Sequence, residues 1–353
     1  MSIAEKGIEV KSFGGNWVVS VRKNVTSREE LATTLKELTK IVPANKVAGH
    51  PFWIRNFIHS YPGGFDAEVC IPLESYLDLD GYVTREFPVY EVLAVNVNGS
   101  IDQLGDAYNT VFDSQNDYGL ISDEFCIEVL QSKSPLETPI EVMMVRHPWE
   151  NLFEQNLRSV MGKGAREQVI GDEDVFLIDM SLQDRFNWVR NAIDRFDRIS
   201  NDEQRFEVLT ACSHVFPRNQ AEKLRKIYLA SIGAGASFLQ AVDEVVAFME
   251  TDPGWRPNII RDGHTLYVTK NPSDREAYDR AETDLERQQA ACFCPIVRQH
   301  IGDGMSDTFC YCSAGFERKQ WEVAIGKPVR IEIVKSLLKG HLECQFAIKL
   351  TEE

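Results

Sequence analysis

The sequence predicts an α+β protein, in which a duplicated β-α-β-β domain is followed by a helical segment and a cysteine-rich α/β domain. Three observations predict it. Residues 17–73 fall on residues 90–146 at a constant shift of 73, without a gap. Between about 150 and 250, apolar residues recur at helical spacing. The last third carries strand-like runs and two closely spaced cysteine pairs.

Each repeat reads as strand, helix, strand, strand. Trp17-Val18-Val19 meets Tyr90-Glu91-Val92, and both runs suit a strand. Ser27-x-x-Glu30 and Ser100-x-x-Gln103 follow as capping boxes, in which a hydroxyl and an acid or amide satisfy a helix's first free N–H groups. Leu31, Leu35 and Leu38 form one apolar stripe; Leu104, Ala107, Tyr108, Val111 and Phe112 form the other. Phe52-Trp53-Ile54-Arg55 then meets Phe125-Cys126-Ile127-Glu128, and Glu68-Val69 meets Glu141-Val142, all in β-type runs. Two such units can join their sheets about a pseudo-twofold axis, and the seam suits a pocket.

Pro148 marks the boundary, giving domains 1–148 and 149–353, which fits 353 residues at roughly 150 per domain. Phe186, Val189, Ile193, Phe196 and Ile199 line one helix, and Ser200-x-x-Glu203 is set to cap the next. Phe238, Ala241, Val242, Val245, Val246 and Met249 line a further one. Thr265–Thr269 reads as a strand, and Asp274–Gln289 as polar helix. Val329–Val334 and Glu343–Leu350 are the arms of a closing hairpin around Lys339-Gly340-His341.

Charge narrows the partners. With 38 Lys+Arg against 54 Asp+Glu the net charge is −16, and no Lys/Arg cluster offsets it, so nucleic acid is not an expected partner. The most apolar stretch, Leu229 to Met249, is broken by Gly233, Gly235, Gln240, Asp243 and Glu244, so no membrane span is expected. The start, MSIAEKGIEV, has no apolar signal core. A cytoplasmic protein follows as the expectation, with its eight cysteines reduced. Oligomeric state is not readable.

The densest chemistry lies at Cys292-Phe293-Cys294-Pro295 and Cys310-Tyr311-Cys312-Ser313, with His300 between. In strands, residues i and i+2 share a face, so each pair would converge. Three readings stay open. Cys292, Cys294, Cys310 and Cys312 hold zinc; or Cys294 or Cys310 is a nucleophile with His300 or His214 as its base; or the thiols are inert core. The first would make zinc a cofactor, and the second would make the chain a cysteine-dependent hydrolase.

The first 148 residues, about two-fifths of the chain, resemble the GyrI-like small-molecule-binding domains, the AraC-type effector-binding modules of bacterial multidrug-sensing regulators. The resemblance rests on Phe65-Asp66-Ala67-Glu68-Val69-Cys70-Ile71-Pro72-Leu73, on Phe87-Pro88-Val89-Tyr90, and on Gly99 through Tyr108. Phe125-Cys126-Ile127-Glu128-Val129 and Pro139-Ile140-Glu141-Val142 complete it. It implies SHS2-like repeats around an aromatic-lined pocket for a small organic ligand. It also implies a pocket-facing glutamate on a strand of the second repeat, which Glu128 matches. Trp53, Tyr61 and Tyr108 are candidate walls. Arg55 occupies the position equivalent to Glu128 in the first repeat and is expected to pair with it if both point inward, departing from a purely cationic preference. The stretch from Cys310 to Phe346 is similar to the ending of 4-vinyl-reductase-type and thiazoline-carboxylate (ATC) hydrolase-like domains. That resemblance implies an α/β ligand cavity, with amide or ring hydrolysis in the second group.

Overall fold

The computed structural model describes residues 6–61, 64–117, 120–132, 134, 136–171, 180–214, 218–251 and 258–351. The chain forms two compact units, the first reaching His147 and the second taking in nearly all of the chain from Pro148 on.

The first unit contains β1 (Glu9–Phe13), β2 (Trp17–Val25), α1 (Arg28–Ile41), β3 (Phe52–Tyr61) and β4 (Gly64–Leu73). It continues with β5 (Val83–Glu86), β6 (Tyr90–Val97), α2 (Leu104–Asp117), β7 (Leu120–Leu130) and β8 (Ile140–Pro148). The β-α-β-β order therefore occurs twice. One eight-stranded sheet takes the order β1-β6-β8-β7-β3-β4-β2-β5. The run β6-β8-β7 mirrors β2-β4-β3, so the repeats meet at the antiparallel pair β3–β7.

The register of that pair carries the symmetry. Trp53 lies opposite Glu128, Ile54 opposite Ile127 and Arg55 opposite Cys126. The shift of 73 converts the first pair into the third and returns the second to itself. The pseudo-twofold axis therefore passes between Ile54 and Ile127.

Side chains alternate across a strand, so the sheet has two distinct faces. α1 packs on β2 and β4, and α2 on β6 and β7. Leu31, Leu35, Leu38, Trp53, Val69, Ala107 and Val142 fill the layer beneath the helices. Phe52, Ile54, Phe87, Ile127, Val129 and Met143 make the opposite face apolar. There Phe13, Phe52 and Phe87 meet edge to face at 5.1–6.0 Å between centroids, the geometry that ring quadrupoles favour.

The helix starts differ in detail from the expected capping boxes. Ser27 precedes α1 without capping it; instead the Glu30 carboxylate accepts the Thr26 N–H at 3.2 Å and the Thr26 hydroxyl at 2.5 Å. Ser100 accepts the Asp102 N–H at 3.3 Å and opens a short 3-10 turn before α2.

The second unit begins with α3 (Trp149–Met161), α4 (Lys163–Val169), α5 (Leu182–Ile199), α6 (Asp202–Ala211), α7 (Arg218–Gly233) and α8 (Phe238–Thr251). Next come β9 (Asn258–Asp262), β10 (Thr265–Thr269), α9 (Arg275–Arg280), α10 (Asp284–Ala291) and α11 (Pro295–Arg298). It ends with α12 (Tyr311–Ile325), β11 (Arg330–Lys335) and β12 (Gln345–Lys349). Its sheet, β11-β12-β10-β9, is antiparallel throughout, and the expected closing hairpin is β11–β12. The capping box before α6 is Asn201 with Gln204, one residue beyond the expected pair. Trp321, Phe346, Leu266, Val242 and Val245 sit in its core. Arg185 of α5 and Glu150 of α3 form a buried bidentate pair at 2.7 Å on both arms.

Candidate functional site

Near the pseudo-twofold axis, the alternation of β3 and β7 puts Trp53, Arg55, Cys126 and Glu128 on the face that carries the helices. Glu128 is 1% exposed. A carboxylate that deep needs hydrogen-bond partners. Among the described residues it has two, and each repeat's helix supplies one. Arg28, the first residue of α1, donates from Nη1 to Oε2 at 2.5 Å. Tyr108 of α2 donates its hydroxyl to Oε1. The Arg28 guanidinium also stands 4.7 Å from the Trp53 ring centroid, within cation–π range.

Two further groups complete the cluster. The Cys126 thiol donates to the Tyr108 hydroxyl oxygen at 3.3 Å. Burial pushes that thiol up to about 12. Burial first, then the neighbouring Cys126 and Glu128, hold the Tyr108 phenol well above its ordinary value. Both groups are therefore protonated donors at neutral pH. Arg55 lies 4.4 Å from the Phe65 centroid and 5.9 Å from that of Tyr108.

Glu128, Tyr108, Trp53 and Arg55 are thus brought together, while the Tyr61 side chain lies outside the described residues. The expected pairing is corrected in one respect: the cation on Glu128 is Arg28, and Arg55 rests on aromatic faces instead. Arg28 escaped the sequence reading. Its signal was a cation in the first turn of a helix, where the macrodipole favours acids and where Glu29 and Glu30 follow the rule.

In the second unit neither cysteine pair lies on a strand, so the shared-face premise fails. Cys292 ends α10, Cys294 precedes α11, Cys310 closes a 3-10 turn and Cys312 sits in the first turn of α12. Their thiols turn to oxygen neighbours. Cys292 reaches the Cys294 carbonyl at 3.7 Å, Cys310 the Ser336 hydroxyl at 3.3 Å and Cys312 the Cys212 carbonyl at 3.3 Å. Cys344, Cys292 and Cys294 each add to the upward shift of Cys310, so these thiols are neighbours in space. Among the described residues, no three His, Cys, Asp or Glu side chains are placed to hold a metal ion.

The nucleophile reading meets unfavourable electrostatics. Burial raises Cys294 and Cys310, whereas an attacking thiol needs a lowered value. His300, one of its candidate bases, has Nδ1 3.1 Å from Asp303 and stacks on Phe186 at 4.3 Å.

No known protein family and no curated protein matches the chain. Several solved structures are similar to 40% of it. The C-terminal domain of EcmrR shares 16% identity at a TM-score of 0.35, with 96% of that chain covered. In the EcmrR–DNA complex the chain spans 57% of EcmrR, at the same identity and TM-score. SAV2435 bound to tetraphenylphosphonium shares 11% identity, with 95% of that chain covered and a TM-score of 0.32. A hydrolase encoded by lin2189 from Listeria innocua shares 8%, with 92% covered and a TM-score of 0.29.

Proposed function

We propose that the first unit binds a small organic molecule on the helix-bearing face of its sheet, in contact with Arg28, Glu128, Tyr108 and Trp53. The observation that carries this reading is the buried Glu128 carboxylate, held by a side chain from each repeat close to the pseudo-twofold axis. A fold does not need such a group for stability, because apolar residues of similar volume commonly serve as well. A few directed polar groups among aromatic walls are what a ligand site requires. The resemblance to GyrI-like domains supports the same face and the same glutamate.

A thermal-shift panel of small organic ions on the full chain tests it. A ligand at about 100 times its Kd adds about 2.7 kcal/mol, enough to raise Tm by several degrees. Wild type is expected to respond to a subset of compounds, and Tyr108→Phe is expected to lose most of that response. Equal shifts in both proteins would place the binding elsewhere. No shift across the panel would contradict the reading.

A further inference from the structure

The Glu128 site contains an arginine edge without a hydrogen-bond partner among the described residues. Glu128 takes only Nη1 of Arg28. Nε and Nη2, which form the other edge of the guanidinium, are buried and have no hydrogen-bond partner among the described residues. The indole Nε1 of Trp53, beneath that guanidinium, is also buried without a hydrogen-bond partner among the described residues.

Three other arginines show one partner that this edge takes. Arg22 grips Asp66 through Nε to Oδ1 at 3.2 Å and Nη2 to Oδ2 at 2.6 Å. Arg185 grips Glu150 through the same two nitrogens, at 2.7 Å each. Arg261 grips Asp243 at 2.5 and 2.6 Å. In each case a carboxylate lies side-on against Nε and Nη2, the fork geometry that suits two parallel N–H···O bonds. Of these four, Arg28 alone has that edge without a hydrogen-bond partner among the described residues.

Among the described residues, no neighbouring acceptor fills it. Both oxygens of Glu128 already accept, one from Arg28 and one from Tyr108. The Tyr108 oxygen accepts from Cys126. Among the described residues named at the site, two cations, Arg28 and Arg55, stand against one anion, Glu128. The site therefore offers N–H donors and a surplus positive charge, with the Trp53 and Phe65 rings beside the two guanidinium groups.

We propose that the ligand of this site is an organic carboxylate with an aromatic or apolar body, its two oxygens taken by Nε and Nη2 of Arg28. The assignment rests on the ligand site proposed above. Glu128 then acts as a positioning residue: it holds Nη1 and so fixes the plane of the guanidinium. The aromatic body lies against Trp53, and the charge of Arg55 adds to the attraction. A hydrophobic cation is disfavoured, because Arg28 and Arg55 outnumber Glu128 in charge at the site.

Calorimetric titration of the full chain with 2-naphthoate and with 2-naphthylmethylammonium, two probes alike in shape and opposite in charge, tests the assignment. Wild type is expected to bind the carboxylate at least about tenfold more tightly. Arg28→Lys keeps a cation for Glu128 but removes the fork. It is expected to weaken 2-naphthoate about tenfold or more while changing the ammonium probe far less. If that variant does not fold, the comparison of the two probes on wild type still decides. Equal or tighter binding of the ammonium probe would overturn the carboxylate assignment and leave the ligand site standing. An Arg28→Lys variant with unchanged 2-naphthoate affinity would also overturn it. Failure of both probes to bind at about millimolar concentration would count against the site itself.

Discussion

Removing Glu128 strands a charge. The Arg28 guanidinium would keep its place over Trp53 with no anion beside it, and Tyr108 would lose the acceptor for its hydroxyl. Glu128→Ala is therefore expected to cost about 3 kcal/mol in urea unfolding, the lower end for breaking a buried pair, since the Arg28 side chain remains 23% exposed. Pairing it with Arg28→Gln should recover much of that loss, because the double variant leaves no lone charge. Strictly additive losses would show that the two residues do not act as a pair. The same residues show how far the sequence could be read. Glu128, with Tyr108 and Trp53 as candidate walls, came from the resemblance to GyrI-like domains, and Arg55 from its equivalent place in the first repeat. Arg28 was missed, because a salt bridge between residues 100 positions apart leaves no periodicity to detect.

At the scale of elements, the periods of 2 and 3.6 predicted the repeated β-α-β-β order, the long helices and the final hairpin. Helix starts were less legible, since neighbouring polar residues compete for the same free N–H groups. Asn201 outcompetes Ser200, whose hydroxyl instead bonds the Phe196 carbonyl at 2.6 Å. The C-x-C pairs were misplaced on strands because two residues carry too little pattern to separate a strand from a helix end. The contact of α12 with α6 was not visible at all. It depends on Gly315, where an added Cβ would lie 2.0 Å from the Thr210 carbonyl oxygen and 2.8 Å from the Ser213 Cβ. Both neighbours are held, Thr210 within α6 and Ser213 by its carbonyl bond to Lys319 at 2.9 Å. Gly315→Ala is expected to push the helices apart and lower stability by about 2–3 kcal/mol. Calorimetry would register this as a lower Tm, and an unchanged Tm would mean that the helices do not approach so closely.

At the scale of the whole molecule, the eight thiols share one behaviour. None is in a disulfide, and burial raises every one above its ordinary value, Cys292 and Cys312 to about 12. Below about pH 8.5 folded and unfolded chains both keep these protons. Above it the unfolded chain releases them while the folded chain holds on, so the folded state binds more protons and stability falls as pH rises. Each thiol contributes a slope approaching about 1.4 kcal/mol per pH unit in that window. Cys70 and Cys126 lie in the first unit and the other six in the second, so the melting of both units should shift downward between about pH 8 and 10 under reducing conditions. A Tm that holds constant there would contradict the buried, protonated thiols. The ligand site of the first unit makes the sharpest claim about the molecule, and Trp53 reports on it from within. Fluorine NMR of the full chain labelled with 5-fluorotryptophan resolves Trp53 among the six tryptophans once Trp53→Phe has assigned its signal. Titration with 2-naphthoate is expected to shift the Trp53 resonance saturably and leave Trp149, Trp188 and Trp321 in place. A saturable shift confined to those three, with Trp53 unmoved, would contradict a ligand site at Glu128 and Arg28.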